Sequence, residues 1–399
     1  MNVLVLHAQL GLLRGGGENF SRNLFAAFAE RGHHVKVAFA TNRLGRFPAL
    51  LPDNVQPLPV RGWWSVTPGQ GALTAVGNCL ARLGVDKSHW DRVQNALDWR
   101  GFNWHNRRFG RRVARELSDH IENSDVVYVH HDPVLAFEMA KRRPTVLRLP
   151  GPVGPALAPL LRQVHAVCAN GDALSQLRAF MGTQVIDLPV GLDDRLFSPG
   201  ATDVRARLGW SDDCLVLGYA GRLSKLKGID LLTEAFKTIL KGRRDARLLI
   251  LGTGPEESNA RAALKHELAA GLVQMVPDVR HDQLPYWYRA MSLLIMPSRY
   301  ENYSNAVLEA MGCGIPFAAS DVGGNRVLAE SGGAWLFTPN SAESLASVVE
   351  SALKQPETLR ARGRAARAFV HGRYSWSITA KRLEDIFCNL PLTVSRLSA

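Results

Sequence analysis

The sequence contains few cysteines, and they are scattered. The 399-residue chain has five of them and no C-x-x-C pair: Cys79, Cys168, Cys214, Cys313 and Cys388. An odd number without paired spacing argues against a disulfide framework and against a structural zinc site. It is typical of a protein kept in a reducing compartment, so we expect a cytoplasmic location.

Long apolar runs are also missing. No stretch of about 18 uncharged apolar residues occurs, so no transmembrane helix is expected. The N-terminus, MNVLVLHAQLG, has no cationic segment before its apolar stretch, which favours a buried first strand over a signal peptide. The sequence has neither an internal repeat nor a low-complexity segment.

Two ligand-binding patterns are absent as well. No D-x-D pair occurs, and the His and acidic residues have no compact ligand spacing, which argues against a metal-bridged diphosphate. The loop GLLRGGGEN lies too far past the first strand for a nicotinamide-cofactor fingerprint. Thr41 and Asn42 end the second strand, where that fingerprint requires an acid. We therefore expect neither a metal nor a cofactor.

The composition is that of a globular protein with a basic excess. Apolar residues make up 46% and charged residues 21%, and the length fits two domains. Lys and Arg number 48 against 36 Asp and Glu, a formal net charge of +12. Such an excess indicates an anionic partner, which could be nucleic acid, a membrane surface or phosphorylated small molecules.

Apolar runs alternate with amphipathic segments in two series. The first predicts a helix over 18–31 and strands at 2–7, 34–40, 125–130, 145–149 and 165–169. The second predicts strands at 214–220, 247–251, 272–276, 292–296 and 315–319. The segment IDLPVGLDDRLFSPG between them is typical of a connector. This pattern predicts an α/β protein with two tandem doubly wound domains, 1–193 and 194–375, with ligands at the strand ends facing a central cleft.

Two acidic residues follow the predicted strand at 292–296. In SRYENYSNAVLEAMGCGIP, Glu301 lies in a short loop and Glu309 lies eight residues later, on a helix predicted to begin near Asn305. The loop amides and the helix N-terminus form a site suited to phosphate or sugar oxygens, and the carboxylates can accept hydroxyl hydrogen bonds. A capping acid and a surface glutamate are the plain structural alternative.

Basic residues follow the first strand of the second series. In GYAGRLSKLKGID, Gly221, Arg222, Lys227 and Gly228 surround a turn before a helix, an arrangement that suits a diphosphate. A solvated run of charges is the alternative. The loop LGTGP, with Gly252 and Gly254, repeats the strand–glycine–helix order one strand later.

Taken together, GRLSKLKG, LGTGP, the E-x7-E segment and the DVGG that follows it resemble glycosyltransferase family 4. These are retaining, nucleotide-sugar-dependent enzymes with the two-domain GT-B fold. The resemblance covers almost the whole chain except about 41–110. It implies that a C-terminal helix, 376–391, crosses back onto the N-terminal domain.

The resemblance implies a role for each matching residue. Catalytic roles fall to residues at the diphosphate and at the sugar: Arg222, Lys227, Glu301 and His130, which ends the strand DVVYV. Glu309 would hold the ribose, and the donor would also contact Gly16, Gly17, Gly221, Gly252, Gly254, Tyr303, Ser304 and Asn305. The segment MVPDV departs from the family's usual base-binding stretch, so the base is left open.

A basic, tryptophan-rich region lies outside the resemblance. Residues 41–110 hold five of the nine tryptophans: Trp63, Trp64, Trp90, Trp99 and Trp104. Six arginines and no acid lie between Trp99 and Arg115. One interpretation is a surface for an anionic or lipid-linked acceptor at a membrane, with His131, Arg107 and Arg108 at the acceptor. The other is a peripheral subdomain with buried tryptophans and solvated arginines.

The resemblance implies a retaining hexosyltransferase, and the missing D-x-D pair agrees with a metal-independent one. Its partners would be a nucleotide sugar and a lipid-linked or glycan acceptor, in polysaccharide, lipopolysaccharide or glycolipid synthesis, with possible peripheral contact to an anionic membrane on its cytoplasmic face. A transferase with a soluble small-molecule acceptor is one alternative, and a catalytically silent sugar-nucleotide-binding partner is another. Nucleic acid is the least favoured partner, because no recognition motif accompanies the charge.

Overall fold

The computed structural model describes residues 1–10, 16–41, 51–61, 107–151, 153–354 and 356–391. The five tryptophans of the basic region, together with Gly15, Arg100 and Cys79, lie outside the described residues. The chain forms two compact units. Unit 1 comprises Met1–Ala169, Ala173–Leu188 and the chain from Ala380 onward, and unit 2 comprises Asn170–Asp172 and Pro189–Thr379.

Unit 1 is built on a parallel sheet. In the described part of the chain its strands are β1 (Asn2–Leu6), β2 (His34–Thr41), β3 (Val55–Arg61), β4 (Val126–His130), β5 (Thr145–Arg148), β6 (Ala166–Ala169) and β7 (Val185–Asp187). Their spatial order is β3-β2-β1-β4-β5-β6-β7. The accompanying helices are Gly16–Glu30, 107–116, Ser118–Glu122, Pro133–Ala140, Ala158–Leu161 and Gly171–Met181, with 3₁₀ turns at Pro155–Leu157 and Gly182–Gln184.

Unit 2 contains a second parallel sheet. Its described strands are β8 (Leu215–Ala220), β9 (Ala246–Leu251), β10 (Val273–Val276), β11 (Leu293–Met296), β12 (Phe317–Ser320) and β13 (Ala334–Phe337), in the order β10-β9-β8-β11-β12-β13. The helices are Val204–Arg207, Ile229–Gly242, Glu257–Ala263, Lys265–Ala269, Leu284–Tyr288, Asn305–Gly312, Gly324–Ala329, Ala342–Leu353 and Pro356–Val370. The final helix, Trp376–Cys388, begins in unit 2 and belongs to unit 1 from Ala380 onward. The 3₁₀ turns are Lys225–Lys227 and His281–Gln283.

Both sheets are buried on two faces by helices. The strands are accordingly runs of apolar residues, such as VLVL in β1 and LLIM in β11. Helix Ile229–Gly242 covers one face of the second sheet with Leu232, Phe236 and Ile239, at helical spacing and 0–1% exposed. This confirms the predicted α/β class with two doubly wound domains.

The strand orders fix where ligands can bind. Successive strands are added toward one edge of the sheet and then toward the other. This change lies between β1 and β4 in unit 1 and between β8 and β11 in unit 2. In open parallel sheets, ligands bind outside the carboxyl ends of the strands at this switch point. The residues that follow β1, β4, β8 and β11 are therefore the first candidates for a site.

The predicted strands agree with the observed ones to within one or two residues at each end, and three strands were missed. β3, VQPLPVR, contains two prolines, which disfavour a strand except at a sheet edge, and β3 is an edge strand. β7 has only three residues and lies at the start of the segment predicted to be a connector. β13, AWLF, follows a glycine pair and is another edge strand.

From Ala380 onward the final helix belongs to unit 1, as the family resemblance implied. Phe387 is 5% exposed, and its ring meets that of Phe28 edge-on with centroids 5.5 Å apart. Glu384 pairs with Arg31 and, at 3.2 Å, with His33. The aromatic contact and the charge pairs fasten the end of the chain to helix Gly16–Glu30.

Replacing Phe387 by alanine should therefore destabilise unit 1. Loss of a buried phenylalanine costs about 3 kcal/mol or more, because contacts vanish and a cavity is left behind. Chemical denaturation followed by circular dichroism measures the loss. Lys381→Ala on the exposed side of the same helix is the control, and equal effects for the two variants would contradict this packing.

Candidate functional site

In unit 2, the segments that follow the adjacent strands β8 and β11 lie side by side. Lys227 ends the 3₁₀ turn after β8, and Glu301 lies five residues beyond Met296, the last residue of β11. The Nζ atom of Lys227 donates to Oε2 of Glu301 over 2.6 Å. The Lys227 side chain is 29% exposed and that of Glu301 7%. A partly accessible cation is thus paired with an almost buried carboxylate at the switch point.

A polar chain lies behind Glu301 and holds its carboxylate. The hydroxyl of Ser298 donates to Oε2 of Glu301 over 3.0 Å. The carbonyl of Ser298 accepts from Ser320, and the carbonyl of Ser320 accepts from Asn325 over 3.1 Å. All four side chains are buried, so the position of the carboxylate is defined by the fold rather than by solvent.

Gly228 brings the two segments into contact. Its φ of +68° lies in the left-handed region, and a Cβ atom there would collide with the carbonyl oxygen of Pro297. Beside it, the amide of Arg299 donates to the carbonyl of Leu226 over 2.8 Å. The Arg299 guanidinium binds both carboxylate oxygens of Asp230 at 2.8 Å each. These contacts fix the distance between Lys227 and Glu301.

Gly252 and Gly254, which follow β9, let their segment pack closely against the segment after β8. A Cβ on Gly252 would collide with the carbonyl of Gly221, and one on Gly254 with the backbone of Leu223. The amide of Leu223 donates to the carbonyl of Thr253 over 2.8 Å, and that of Gly221 to Leu251 over 3.0 Å. Backbone packing thus accounts for these glycines, and their contact with a donor stays a prediction.

Arg222 lies in the segment that follows β8, close in sequence to Lys227. Its side chain is exposed, and no described residue accepts a hydrogen bond from its guanidinium. Its carbonyl accepts from the buried Tyr219 hydroxyl over 2.8 Å, which holds the backbone in place. Burial and the nearby Glu301 carboxylate raise the pKa of Tyr219, so this tyrosine stays a neutral donor. Arg222 therefore presents a free cation to solvent from a fixed main chain.

Glu309 is held by two side chains that sequence reasoning did not single out. The hydroxyl of the fully buried Tyr288 donates to Oε2 of Glu309 over 2.8 Å, and Nε2 of His281 lies 3.4 Å from Oε1. Burial and the Glu309 carboxylate raise the pKa of Tyr288. Both residues precede β11, far from the E-x7-E segment in sequence, and no local pattern marks them as partners of Glu309.

Helix Asn305–Gly312 begins at the predicted residue. The Ser304 hydroxyl accepts from the amide of Val307 over 3.3 Å and so acts as the N-cap, which leaves its side chain occupied. The Tyr303 hydroxyl lies 2.7 Å from that of Tyr374. A donor-binding role for Tyr303, Ser304 and Asn305 stays a prediction.

In unit 1, two imidazoles stack at the switch point between β1 and β4. His7 directly follows β1 and His130 ends β4, and their ring centroids are 4.0 Å apart. The Ser21 hydroxyl lies between them, 2.9 Å from Nδ1 of His7 and 3.4 Å from Nδ1 of His130. The family resemblance indicated His130, whereas His7 and Ser21 were missed because a lone histidine after a strand carries no distinctive signal.

Burial keeps these imidazoles neutral. It lowers the pKa of His7 to about 3, with smaller effects from His131 and Arg148. It also lowers the pKa of His130 well below the usual value, assisted by His7 and Arg148. A neutral His130 can both accept and donate a hydrogen bond, but it carries no charge at physiological pH.

The glycines of the N-terminal loop meet His130. Gly16 and Gly17 form the first turn of helix Gly16–Glu30, two residues earlier than the predicted helix start. A Cβ on Gly17 would lie 3.2 Å from Nε2 of His130, closer than most side-chain contacts. Glu18 follows, with Oε1 3.9 Å from Nε2 of His7. Glycine at position 17 thus lets the helix approach the imidazole.

Of the residues predicted for the acceptor, His131 lines a small pocket in unit 1. His7, Gln9, His130 and Asp132 also line this pocket. His131 has a φ of +65°, a rare conformation for a non-glycine residue. The positive charge of Arg107 lowers the pKa of Asp132, although burial raises it by more. Arg108 lies half-buried on helix 107–116, and its role stays a prediction.

The described helices include none with the length and hydrophobicity that crossing a bilayer requires. Within the same residues, no three His, Cys, Asp or Glu side chains lie close enough together to hold a metal ion.

A side chain at position 228 should separate Lys227 from Glu301. Gly228→Ala must either abandon the left-handed conformation or push away Pro297, so we expect a lower melting temperature than for Gly271→Ala. Gly271 has nearly the same φ, +69°, but open space around its Cα, so that variant isolates the cost of the backbone conformation alone. Equal melting temperatures in differential scanning calorimetry would contradict the proposed close contact.

The neutral His7 should make stability depend on pH. An unfolded histidine titrates near pH 6.5, so between that pH and about 3 the unfolded chain binds a proton that folded His7 excludes. Stability therefore falls as the pH drops through this window, by about 1.4 kcal/mol per pH unit for one such group. His7→Asn should make the decline shallower by that amount in urea titrations at pH 4.5–7.5, and an unchanged slope would refute the assignment.

Comparison of the sequence with known proteins identifies a matching family and similar proteins. Residues 201–369 match the family described as Glycosyl transferases group 1. The chain is 32% identical over 261 residues to D-inositol 3-phosphate glycosyltransferase 1 of Catenulispora acidiphila, covering 60% of this chain and 62% of that protein. It is 32% identical over 228 residues to the D-inositol 3-phosphate glycosyltransferase of Segniliparus rotundus, covering 56% and 51%. The chain thus spans less than two thirds of either relative.

Solved structures share the architecture along nearly the whole chain. Sucrose-phosphate synthase of Thermosynechococcus elongatus superposes with a TM-score of 0.73 at 17% identity, covering 97% of this chain and 98% of that one. HepE of Anabaena, in complex with UDP and glucose, gives 0.71 at 18% identity, covering 98% and 100%. The two doubly wound domains of this chain therefore have the GT-B architecture, and residues 201–369 carry the sequence pattern of the Glycosyl transferases group 1 family.

Proposed function

We propose that this protein is a retaining glycosyltransferase that moves a hexose-type sugar from a nucleotide-diphosphate sugar to an acceptor hydroxyl. The observation that carries the proposal is the Lys227–Glu301 pair at the switch point of unit 2, within the segment that matches the glycosyltransferase family. HepE, which shares the fold, is described in complexes with UDP and with UDP-glucose. Nucleotide diphosphates are thus the natural ligands to test first.

Arg222 and Lys227 would bind the donor diphosphate without a metal. Arg222 is exposed, and Lys227 is accessible on one side while Glu301 holds it on the other. As the sugar leaves, negative charge grows on the terminal phosphate, and fixed cations stabilise that charge more than the ground state. The paired carboxylate prevents Lys227 from moving when the donor arrives.

Glu301 and Glu309 would bind the two sugars of the donor. Lys227 and Ser298 both contact Oε2 of Glu301, so Oε1 is the oxygen placed to accept a hydroxyl of the transferred sugar. Glu309 would accept the ribose hydroxyls, with Tyr288 and His281 holding its carboxylate in position.

Transfer would take place on one face of the sugar. The acceptor oxygen bonds to the anomeric carbon as the bond from that carbon to the phosphate oxygen breaks, and the acceptor proton passes to the leaving phosphate. Glu301 is tied to a lysine and is therefore a poor nucleophile, so a covalent glycosyl-enzyme intermediate is not expected. In unit 1, the neutral His130 would contribute a hydrogen bond rather than a charge.

The relatives favour a small phosphorylated acceptor. Two of them are named for D-inositol 3-phosphate, and one structural neighbour is a sucrose-phosphate synthase.

A lipid-linked or glycan acceptor at the cytoplasmic membrane face is the second candidate. Helix 107–116 supports it, because Phe109 and Val113 are buried while Arg107, Arg111 and Arg115 are exposed along one side. Such a row of arginines suits an anionic surface.

Arg222→Ala and Lys227→Ala should each lower kcat/KM by about 10²–10³-fold, the usual cost of one transition-state donor. The donor is first found by thermal shift with UDP-, GDP-, ADP- and dTDP-sugars, since specific binding raises the melting temperature. Turnover and the anomeric configuration of the product are then read by NMR. Lys241→Ala, an exposed lysine at the far end of helix Ile229–Gly242, is the matched control. Undiminished turnover in either variant, or an inverted product, would contradict the proposal.

A further inference from the structure

Arg148 is a buried arginine at the carboxyl edge of the unit 1 sheet. It is the last residue of β5, only 3% exposed, and its guanidinium lies over the Phe20 ring, 3.5 Å from the centroid. Arginine is rarely buried to this extent unless a carboxylate or a phosphate pairs with it.

Among the described residues, no carboxylate pairs with the Arg148 guanidinium. Its Nε and Nη1 atoms are buried and have no hydrogen-bond partner within that part of the chain. The titratable groups that act on it are Tyr128 and Cys168, and burial raises the pKa of both, that of Cys168 to about 12. Both are therefore neutral at physiological pH, and the buried Tyr128 hydroxyl has no hydrogen-bond partner in the described part of the chain.

Arg148 lies at the carboxyl edge of the unit 1 sheet, where ligands bind in open parallel sheets. The sheet register pairs it with His130, so both side chains lie on the same face, beneath helix Gly16–Glu30. The histidines nearby (His7, His130 and His131) have pKa values lowered by burial and supply no negative charge. Glu18 does carry a carboxylate here, but it faces His7.

A buried cation without a counter-ion weakens the fold, because desolvation of the charge is not offset. Such groups persist where a ligand supplies the missing charge. We propose that Arg148 is the floor of an anion subsite in unit 1 that receives a phosphate group of a substrate. The phosphate could belong to the acceptor or to the donor diphosphate. This assignment to a substrate rests on the proposed function, whereas the anion site itself does not.

The first test is the stability of the ligand-free protein. Arg148→Met keeps the length and the contact with Phe20 but removes the charge, so we expect the melting temperature to rise by about 2 °C or more. The control is Arg205→Met, since the Arg205 guanidinium donates to the carbonyls of Ala290, Asp212 and Cys214 and to the Ser292 hydroxyl. That variant should melt at a lower temperature. A lower melting temperature, or failure to fold, in Arg148→Met would show a structural role and overturn the proposal.

The second test is binding by the full chain, measured by calorimetry. The probes are inorganic phosphate, UDP, inositol 3-phosphate and unphosphorylated inositol. Wild type should bind at least one phosphate probe, and Arg148→Met should weaken that binding about tenfold or more, as expected for a lost charged hydrogen bond. Arg148→Lys should retain part of the affinity. Equal affinities in wild type and Arg148→Met, or no binding of any phosphate probe by wild type, would overturn the proposal.

The choice of probe identifies the source of the phosphate. Loss confined to inositol 3-phosphate assigns the subsite to the acceptor, and loss confined to UDP assigns it to the donor. Lys227→Ala separates this proposal from the proposed function, because it should weaken UDP binding in unit 2, whereas the inorganic phosphate binding that Arg148→Met removes should persist in it. If wild type binds phosphate through Arg148 but no nucleotide diphosphate, the proposed function is wrong and the anion site stands.

Discussion

The contact between Gly228 and the carbonyl of Pro297 is the constraint on which the unit 2 site depends. It lets the turn after β8 touch the segment after β11, two segments that are far apart in sequence and adjacent at the sheet edge. Once they touch, the amide of Arg299 can reach the carbonyl of Leu226, and Lys227 can reach Glu301. The charges proposed for catalysis are therefore positioned by backbone packing, and only a residue without a Cβ permits it.

The carboxyl edges of the two sheets differ in how their polar side chains are paired. In unit 2, Lys227 pairs with Glu301 and Tyr288 donates to Glu309, so both of these carboxylates have a partner. In unit 1, the imidazoles of His7 and His130 are neutral, and Nε and Nη1 of the buried Arg148 have no hydrogen-bond partner among the described residues. The carboxylates of unit 2 are thus held in position without a ligand, whereas the Arg148 cation of unit 1 has no counter-ion among the described residues.

Sequence reasoning predicted the fold and part of the site. Buried parallel strands are continuous apolar runs, so most strands and both domains could be found, and strand ends indicated Lys227 and Glu301. His130 was predicted only from the family resemblance. Tyr288, His281 and Arg148 could not be found, because their roles come from packing between elements distant in sequence. Gly252 was predicted as a ligand-binding glycine, but its backbone packing against Gly221 is a property that sequence spacing cannot reveal.

The prolines of β3 have a consequence for how this protein can associate with others. β3 closes one side of the unit 1 sheet, and proline is tolerated in a strand where its nitrogen faces away from the neighbouring strand. Pro57 and Pro59 thus withhold two amide donors from the outer side of β3, where another chain would otherwise add a strand. The two prolines therefore disfavour the addition of a strand from another chain at this edge of the unit 1 sheet.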